Sequence, residues 1–586
     1  MNTYTVITFA PVQGFIEKSR KLRDLYGSSY ILSLLSWVIC QSVKQQIGSH
    51  SVVSPASINI TQGMPNQIIV KGDLSLDQIN EIKKTFTLAW EYLVHTCRIW
   101  IEDNIKDNLN QWDYQFWRRD WQLWVNYCWE FFWASGNTIT QARENLNQQK
   151  NSRDWTGINW QGESSTLSGS DAICYPNLGK PTDPRDYNYQ QEKNTIRDFY
   201  QSLSDKLGEA FIEPREELSI PELVKRMITH QTIVDELKPR LEQLNLGLPT
   251  DKIKEISLEL SPDSFRDLNR HKEDETNEQK YWTGWFLGDG DSASKYFKSL
   301  PPDQEEIKLH EFSATMRKWG KDLKENQAEY LQNKGRIIYA GGDDFLGVLY
   351  DGAKLVPYDC LQWFYDFKSK VWHGNNPKII NVSVGFVWAG NQVPQRDILQ
   401  HCHSAESSAK SNGRDRIAFR ILFNSGNYLE WVCPWWLLDS GDKLNLIESY
   451  RDRNKTSLKN DGNWNHFYQD IAVLEARHAF ESRTLTAAQI KEQNLSISND
   501  IAFGLIDIYF GETWRDIIAN SENWWNKYDN NELQIFTGIL GDPKQFNSND
   551  QETPDFQQTR VKQALNNWVI NLAKIGFYLT DKGVIQ

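Results

Sequence analysis

The residues of this 586-residue chain best suited to chemistry are two acidic groups. One is Asp289-Gly290-Asp291 in "LGDGDS" and the other is Gly341-Gly342-Asp343-Asp344 in "IIYAGGDDFLGVLY". Each sits at the end of an apolar run that reads as a buried strand. Residues two apart on a strand share a face, so Asp289 and Asp291 can reach one site with the Gly290 carbonyl between them. Neighbouring strands lie about 4.8 Å apart, near enough to bring Asp289 to Asp343. Such hard oxygen ligands suit Mg²⁺. Two such ions about 3.5–4 Å apart join nucleotides, one lowering the pKa of a 3′-hydroxyl and one holding a triphosphate. Gly341 and Gly342 leave the backbone open to a base or ribose. A third stretch, "AKSNGRDR" (409–416), puts Lys410 near a helix end and Arg414 at its exit, a clamp for a triphosphate tail.

Each stretch alone has a plainer reading. Gly and Asp supply the positive φ angles of a tight turn, and a Gly-capped helix end with basic residues complements the helix dipole. An EF-hand loop starting at Asp289 fails, because its sixth position is Ser294 and its twelfth Leu300. Order favours the chemical reading: the GGDD follows the DxD by about 52 residues, and the clamp lies about 66 residues further on.

The elements that must position these groups follow from patterning. Thr3–Phe9 reads as a strand, followed by a basic helix containing Lys18, Lys21 and Arg23 and an apolar helix from Ser28. Residues 57–73 read as two strands joined by a Gly-Met-Pro-Asn turn. Residues 79–150 read as helical, with a Trp stripe belonging to the core. Residues 281–291 begin a second block, β-α-α-β-β-α-β-α-β, that ends in "RIAFRIL". The first block starts the same way, which predicts an internal repeat of one α/β unit. The tail from about 433 reads as mostly helical.

Bulk composition narrows the function classes. The chain is too long for one core, and three to five domains are expected. A net charge of −13 argues against a positively coated protein, so nucleic-acid contacts must come from local patches. The first 50 residues, with five Lys/Arg against two Asp/Glu, are one candidate. Seven Cys with no CxxC pair fit a reducing compartment. "YILSLLSWVIC" (30–40) is too short to span a bilayer and too late for a secretory leader. A cytoplasmic protein without membrane contact is expected.

Taken together, the second block resembles nucleotidyl-cyclase palms of the GGDEF type. The whole chain resembles the large palm-domain subunit of type III CRISPR effector complexes, closest to the III-B branch. The resemblance covers about residues 4–425 and is carried by "APVQGFIEKSRKLRDLYGSSYILS" (10–33), "GMPNQIIV" (63–70), "REELSIPELVKR" (215–226), "LGDGDSASKYF", "IYAGGDDFLGVL" and "AKSNGRDRIAFRIL". It implies an α+β fold with two ferredoxin-like palms facing each other and helical domains between and after them. The expected domains are a degenerate palm with a Trp-rich helical extension (1–150), a linker with a zinc-ribbon-like insert (151–195), a helical domain (196–275), the GGDD palm (276–432) and a helical tail (433–586).

The implied activity is target-RNA-activated synthesis of cyclic oligoadenylate from ATP, with Mg²⁺ (or Mn²⁺). The implied partners are guide CRISPR RNA, target RNA and other subunits of the complex. Catalysis falls to Asp289, Asp343 and Asp344, and metal binding to Asp289, Gly290, Asp291 and Asp343. Nucleotide contacts fall to Gly341, Gly342, Lys295, Lys410 and Arg414, with first-palm surface around Gly27 and Ser28. Two departures shape expectations. The palm opens at residue 3 and none of the ten His precedes an Asp, so the nuclease domain marked by a His-Asp pair is not expected. Ser165 and Ser168 stand where relatives place zinc-ligating Cys, so no zinc is expected. Two other classes stay open: a silent RNA-binding scaffold and a free-standing GGDEF-like cyclase.

Overall fold

The first seven-residue strand, β1 (Tyr4–Ala10, YTVITFA), is rich in β-branched and aromatic side chains and is buried along nearly its whole length. It lies inside a four-stranded sheet with β2 (Val52–Ser54), β3 (Gln67–Lys71) and β4 (Glu130–Gly136), in the order β2-β3-β1-β4. β1 runs antiparallel to both neighbours, Thr8 opposite Gln67 on one side and Phe132 on the other. Helices Leu22–Ile47 and Leu76–Ile105 connect the strands, which makes this a ferredoxin-like βαββαβ palm followed by the helix Ile139–Asn151. The computed structural model describes residues 3–580. It leaves out 20, 57, 59, 61–62, 106–111, 155–156, 181–182, 184, 186, 210, 248–270, 275–276, 352–354, 375–379, 440–444, 454–462, 481–495 and 544–553.

Past a short hairpin, β5 (His271–Asp274) with β6 (Asn277–Lys280), the pattern recurs. β7 (Thr283–Gly290), β8 (Gly335–Ala340), β9 (Phe345–Leu349), β10 (Val382–Ala389), β11 (Arg416–Leu422) and β12 (Tyr428–Pro434) form a six-stranded sheet ordered β12-β11-β10-β7-β9-β8. Its first four strands in chain order repeat the 2-3-1-4 arrangement of the first palm. The helix Gln395–Ser411 then crosses to β11, which pairs parallel to β10. The registers match closely. When Tyr4 is set on Gly284, Lys71 falls on Leu349 and Gly136 on Trp388. Extended without a gap, this puts Gly63-Met64-Pro65-Asn66 at the positions of Gly341-Gly342-Asp343-Asp344, and Phe9 at that of Asp289.

Two sequence expectations need correction. The 79–150 stretch is not all helix, because Glu130–Gly136 is the strand that completes the first palm. Its "EFFW" continues the aromatic density of the preceding helix, which masks the change of period. The first strand of the 57–73 hairpin falls earlier, at Val52–Ser54. The Trp stripe is core: Trp90, Trp117 and Trp121 are fully buried, and the Trp90 indole donates to Trp124 O at 3.0 Å.

The chain forms two compact units. One is Met1–Asn269 with Leu300–Lys321 and Ile338–Gly342, and the other is Arg270–Ser299 with Asp322–Ile337 and Asp343–Gln586. In the first, helix Ile220–Met227 packs against the start of helix Leu22–Ile47. Arg226 is fully buried there and donates to both oxygens of Asp24, at 2.8 and 2.9 Å, and to Glu216. The close approach needs Gly27: a Cβ there would lie 2.1 Å from Lys225 O. Ser28 is buried and donates to Asp24 O at 2.7 Å. Gly27 and Ser28 therefore serve helix packing and do not present the surface expected of them. Ser165, at an expected Cys position, anchors a turn by accepting from Leu167 N at 3.0 Å and donating to Glu222. Among the described residues, no helix is long and apolar enough to cross a membrane.

Candidate functional site: an acidic corner in the second palm

The end of β7 and the hairpin before β9 are drawn together by two glycines. At Gly288 a Cβ would lie 2.1 Å from the Phe345 ring, so only glycine lets that ring seat against the strand. At Gly290 a Cβ would lie 2.7 Å from Asp343 Cβ and 2.4 Å from Ile380 Cδ1. Gly290 N–H also donates to Asp343 O at 3.2 Å, which carries the β7–β9 pairing two residues past Gly288 and Phe345. Asp289, Asp343 and Asp344 each consequently offer a carboxylate oxygen within 4.8 Å of the others. The glycines of the hairpin are not there for turn geometry, since neither Gly341 nor Gly342 has a positive φ. A Cβ on Gly342 would meet nothing within 4 Å, so this position is open.

Three carboxylates this close repel one another. Burial of the carboxyl, a hydrogen bond to Asp289 and the charges of Asp289 and Asp343 push Asp344 well above the usual carboxylate range, although the residue keeps a solvent-exposed side. Lys410 answers part of this charge: its ammonium pairs with Asp289 and with Glu406. Burial lowers the Lys410 pKa, but the charges of Asp289 and Glu406 and the hydrogen bonds to both together outweigh it and hold the pKa above its ordinary value. The helix bearing Lys410 sits tight on the sheet because of Gly385, whose Cβ would be 2.3 Å from Glu406 N. A glycine inside a strand signals such an approach. Glu406 and Gly385 were both missed in the sequence, though Glu406 lies one helical turn before Lys410.

Asp291 belongs elsewhere. It shares the face of Asp289, as alternation requires, but its carboxylate is consumed. It accepts from Ser383 Oγ at 2.8 and 2.9 Å and from Asp415 N–H at 2.8 Å, and it is 4% exposed. Burial raises its pKa to about 7. The acidic trio is thus Asp289, Asp343 and Asp344, and Asp291 is a bracket between strand and clamp loop. Lys295 is exposed on the short helix Ala293–Lys298, with no hydrogen bond or ion pair to the trio among the described residues. Arg414 is exposed at the exit of its helix. On the same helix as Lys410, His401 contacts Arg420 at 2.9 Å and the adjacent Cys402 is buried, so the two side chains do not converge.

The donor set fits a divalent cation. Its three carboxylates are hard ligands, and their mutual repulsion is what a cation relieves. Fold and site together define a two-palm protein whose second palm carries an acidic corner. Comparison with known families agrees. The model of the N-terminal region of the CRISPR-associated protein Cmr2 matches residues 4–95, and that of the Cas10/Cmr2 second palm domain matches 283–418. These two stretches of the chain are thus similar to two regions of the Cas10/Cmr2 proteins.

No curated protein matches in sequence. Among solved structures, the type III-B Cmr-beta complex in its apo state has a similar chain. The identity is 12%, 74% of this chain and 70% of that one are covered, and the TM-score is 0.43. Csm1 of T. onnurineus is 11% identical over 99% of this chain and 69% of that one, with a TM-score of 0.43. A Csm1–Csm4 cassette in complex with AMPPNP is 11% identical over 99% and 70%, with a TM-score of 0.35. Likeness of this degree does not locate side chains.

Proposed function

We propose that this protein synthesises cyclic oligoadenylate from ATP in its second palm, within a guide-RNA-bearing type III complex that target RNA activates. The observation that carries the reading is the convergence of Asp289, Asp343 and Asp344 beside Lys410, in a domain matched by the Cas10/Cmr2 second-palm model. Mg²⁺ or Mn²⁺ held by the trio, with the Gly290 carbonyl as a further oxygen donor, would activate a 3′-hydroxyl and stabilise charge on the triphosphate. Lys410 and Arg414 hold phosphate oxygens, Lys410 exchanging its carboxylate partners for them. Lys295 adds a third positive charge. The open backbone at Gly342 gives the nucleotide room to lie close.

The test uses the purified guide-RNA complex with Mg²⁺ and labelled ATP, with and without matched target RNA. Products are resolved by mass spectrometry. Target-dependent oligoadenylate, absent from an Asp343→Ala, Asp344→Ala double variant, is the expected result. Target binding without any nucleotide product would leave a scaffold. Product from GTP without guide RNA would leave a free-standing cyclase.

A further inference from the structure

Three consecutive residues after the helix Gln395–Ser411 take left-handed backbone angles: Gly413 at φ 114°, Arg414 at 63° and Asp415 at 52°. Glycine accepts this readily and aspartate at some cost, but arginine seldom does. Such a turn persists only where its surroundings over-determine it.

Besides Lys368, whose ammonium pairs with the Asp415 carboxylate at 2.6 Å, the surroundings come from two places far apart in sequence. On one side is the Asp291 carboxylate, which takes the Asp415 N–H. On the other is a C-terminal stretch, 524–541, that includes the small hairpin β13 (Lys527–Tyr528) with β14 (Gln534–Phe536). Asn526 Nδ2 donates to Gly413 O at 2.7 Å, and its Oδ1 accepts from Gly538 N–H at 2.9 Å. Thr537 Oγ1 donates to Asp415 Oδ2 at 2.5 Å. Arg416, buried, donates to Arg414 O at 3.0 Å, to Ile539 O at 3.1 Å and to Gly538 O at 2.8 Å. Packing is equally close: a Cβ on Gly541 would lie 1.9 Å from Asn412 O, and one on Gly413 would lie 2.6 Å from Gly541 Cα.

Gly413 and Asp415 are buried under these contacts, whereas Arg414 between them is exposed. The C-terminal stretch thus fixes the backbone on both sides of one exposed cation. We propose that Asn526 and Thr537 are positioning residues of the phosphate clamp: they hold the strained turn that aims Arg414, so ATP affinity in the second palm is set partly from residues 524–541. This rests on the reading of Arg414 as a phosphate ligand.

The test uses the full chain in its guide-RNA complex. Two readouts are taken: equilibrium binding of Mg²⁺–AMPPNP and steady-state kinetics with ATP. Asn526→Asp keeps the acceptor for Gly538 and loses the donor to Gly413. Thr537→Val loses the hydroxyl, and Thr537→Ser keeps it. The expected result for the first two is a roughly five- to tenfold rise in Kd and KM, with kcat within about twofold of wild type. Thr537→Ser restores wild-type values. In an Arg414→Ala background the same changes add nothing, because their effect runs through Arg414.

Unchanged Kd in folded variants overturns the proposal. So does an undiminished effect in the Arg414→Ala background, which would mark a general structural role. If Asn526→Asp fails to fold, the Thr537 pair decides. Wild-type complex that binds AMPPNP but makes no oligoadenylate overturns the proposed activity, while the Kd comparison still decides this inference. Wild-type complex that binds no AMPPNP overturns both.

Discussion

The two palms share strand order, matching strand ends and matching cross-strand register, yet they carry opposite chemistry. Where the second has Asp289, Asp343 and Asp344, the first has Phe9, Pro65 and Asn66 in register. The first palm shows that this hairpin and strand end close without any acid. Carboxylates at the same corner are therefore not a requirement of the fold. They add repulsion that the first palm avoids, and the Lys410 ammonium offsets part of it. A corner that costs stability is one retained for a ligand.

The largest expected effect that sharpens this contrast is on catalysis. Asp289→Asn should lower product formation by about a thousandfold or more, with the thermal midpoint unchanged or raised. Steady-state rates and thermal unfolding check it, and full activity in the variant would break the contrast. Next, Gly290→Ala should lower the rate by about a hundredfold, because its methyl group must push Asp343 away from β7. A kinetic assay paired with circular dichroism separates misplacement from unfolding.

A smaller effect concerns stability and its pH dependence. The Asp344 carboxyl binds its proton more tightly in the folded protein than in the unfolded chain. Its favourable contribution is complete below the unfolded pKa and is lost as pH rises through the raised folded value. Asp344→Asn should accordingly raise the midpoint of the metal-free protein at neutral and alkaline pH, and the gain should vanish in acid. Thermal scans in chelator across pH read this directly. The smallest effect belongs to the first palm. Asn66→Asp places a single charge where no trio exists, and stability should shift by less than about 0.5 kcal/mol, with no metal bound.

Legibility followed locality. The DxD, GGDD and clamp stretches could be read because strand alternation and helix exit are encoded by neighbouring residues. Alternation even put Asp291 on the correct face. It could not say that Asp291 is spent on Ser383 and Asp415, which lie 92 and 124 residues away. The same limit hid the grip of Asn526 on Gly413, across 113 residues. β4 was hidden differently, since an unbroken aromatic run carries no visible change of period. Gly27 was read as surface because a glycine required by a close helix contact looks, in sequence, like one left open for a ligand.

The most direct test of the central claim is Mn²⁺ titration of the full-length protein, followed by electron paramagnetic resonance. The account predicts that wild type and Asn66→Asp bind alike and that the Asp343→Ala, Asp344→Ala double variant loses the bound ion. Undiminished Mn²⁺ binding by that folded variant would contradict it.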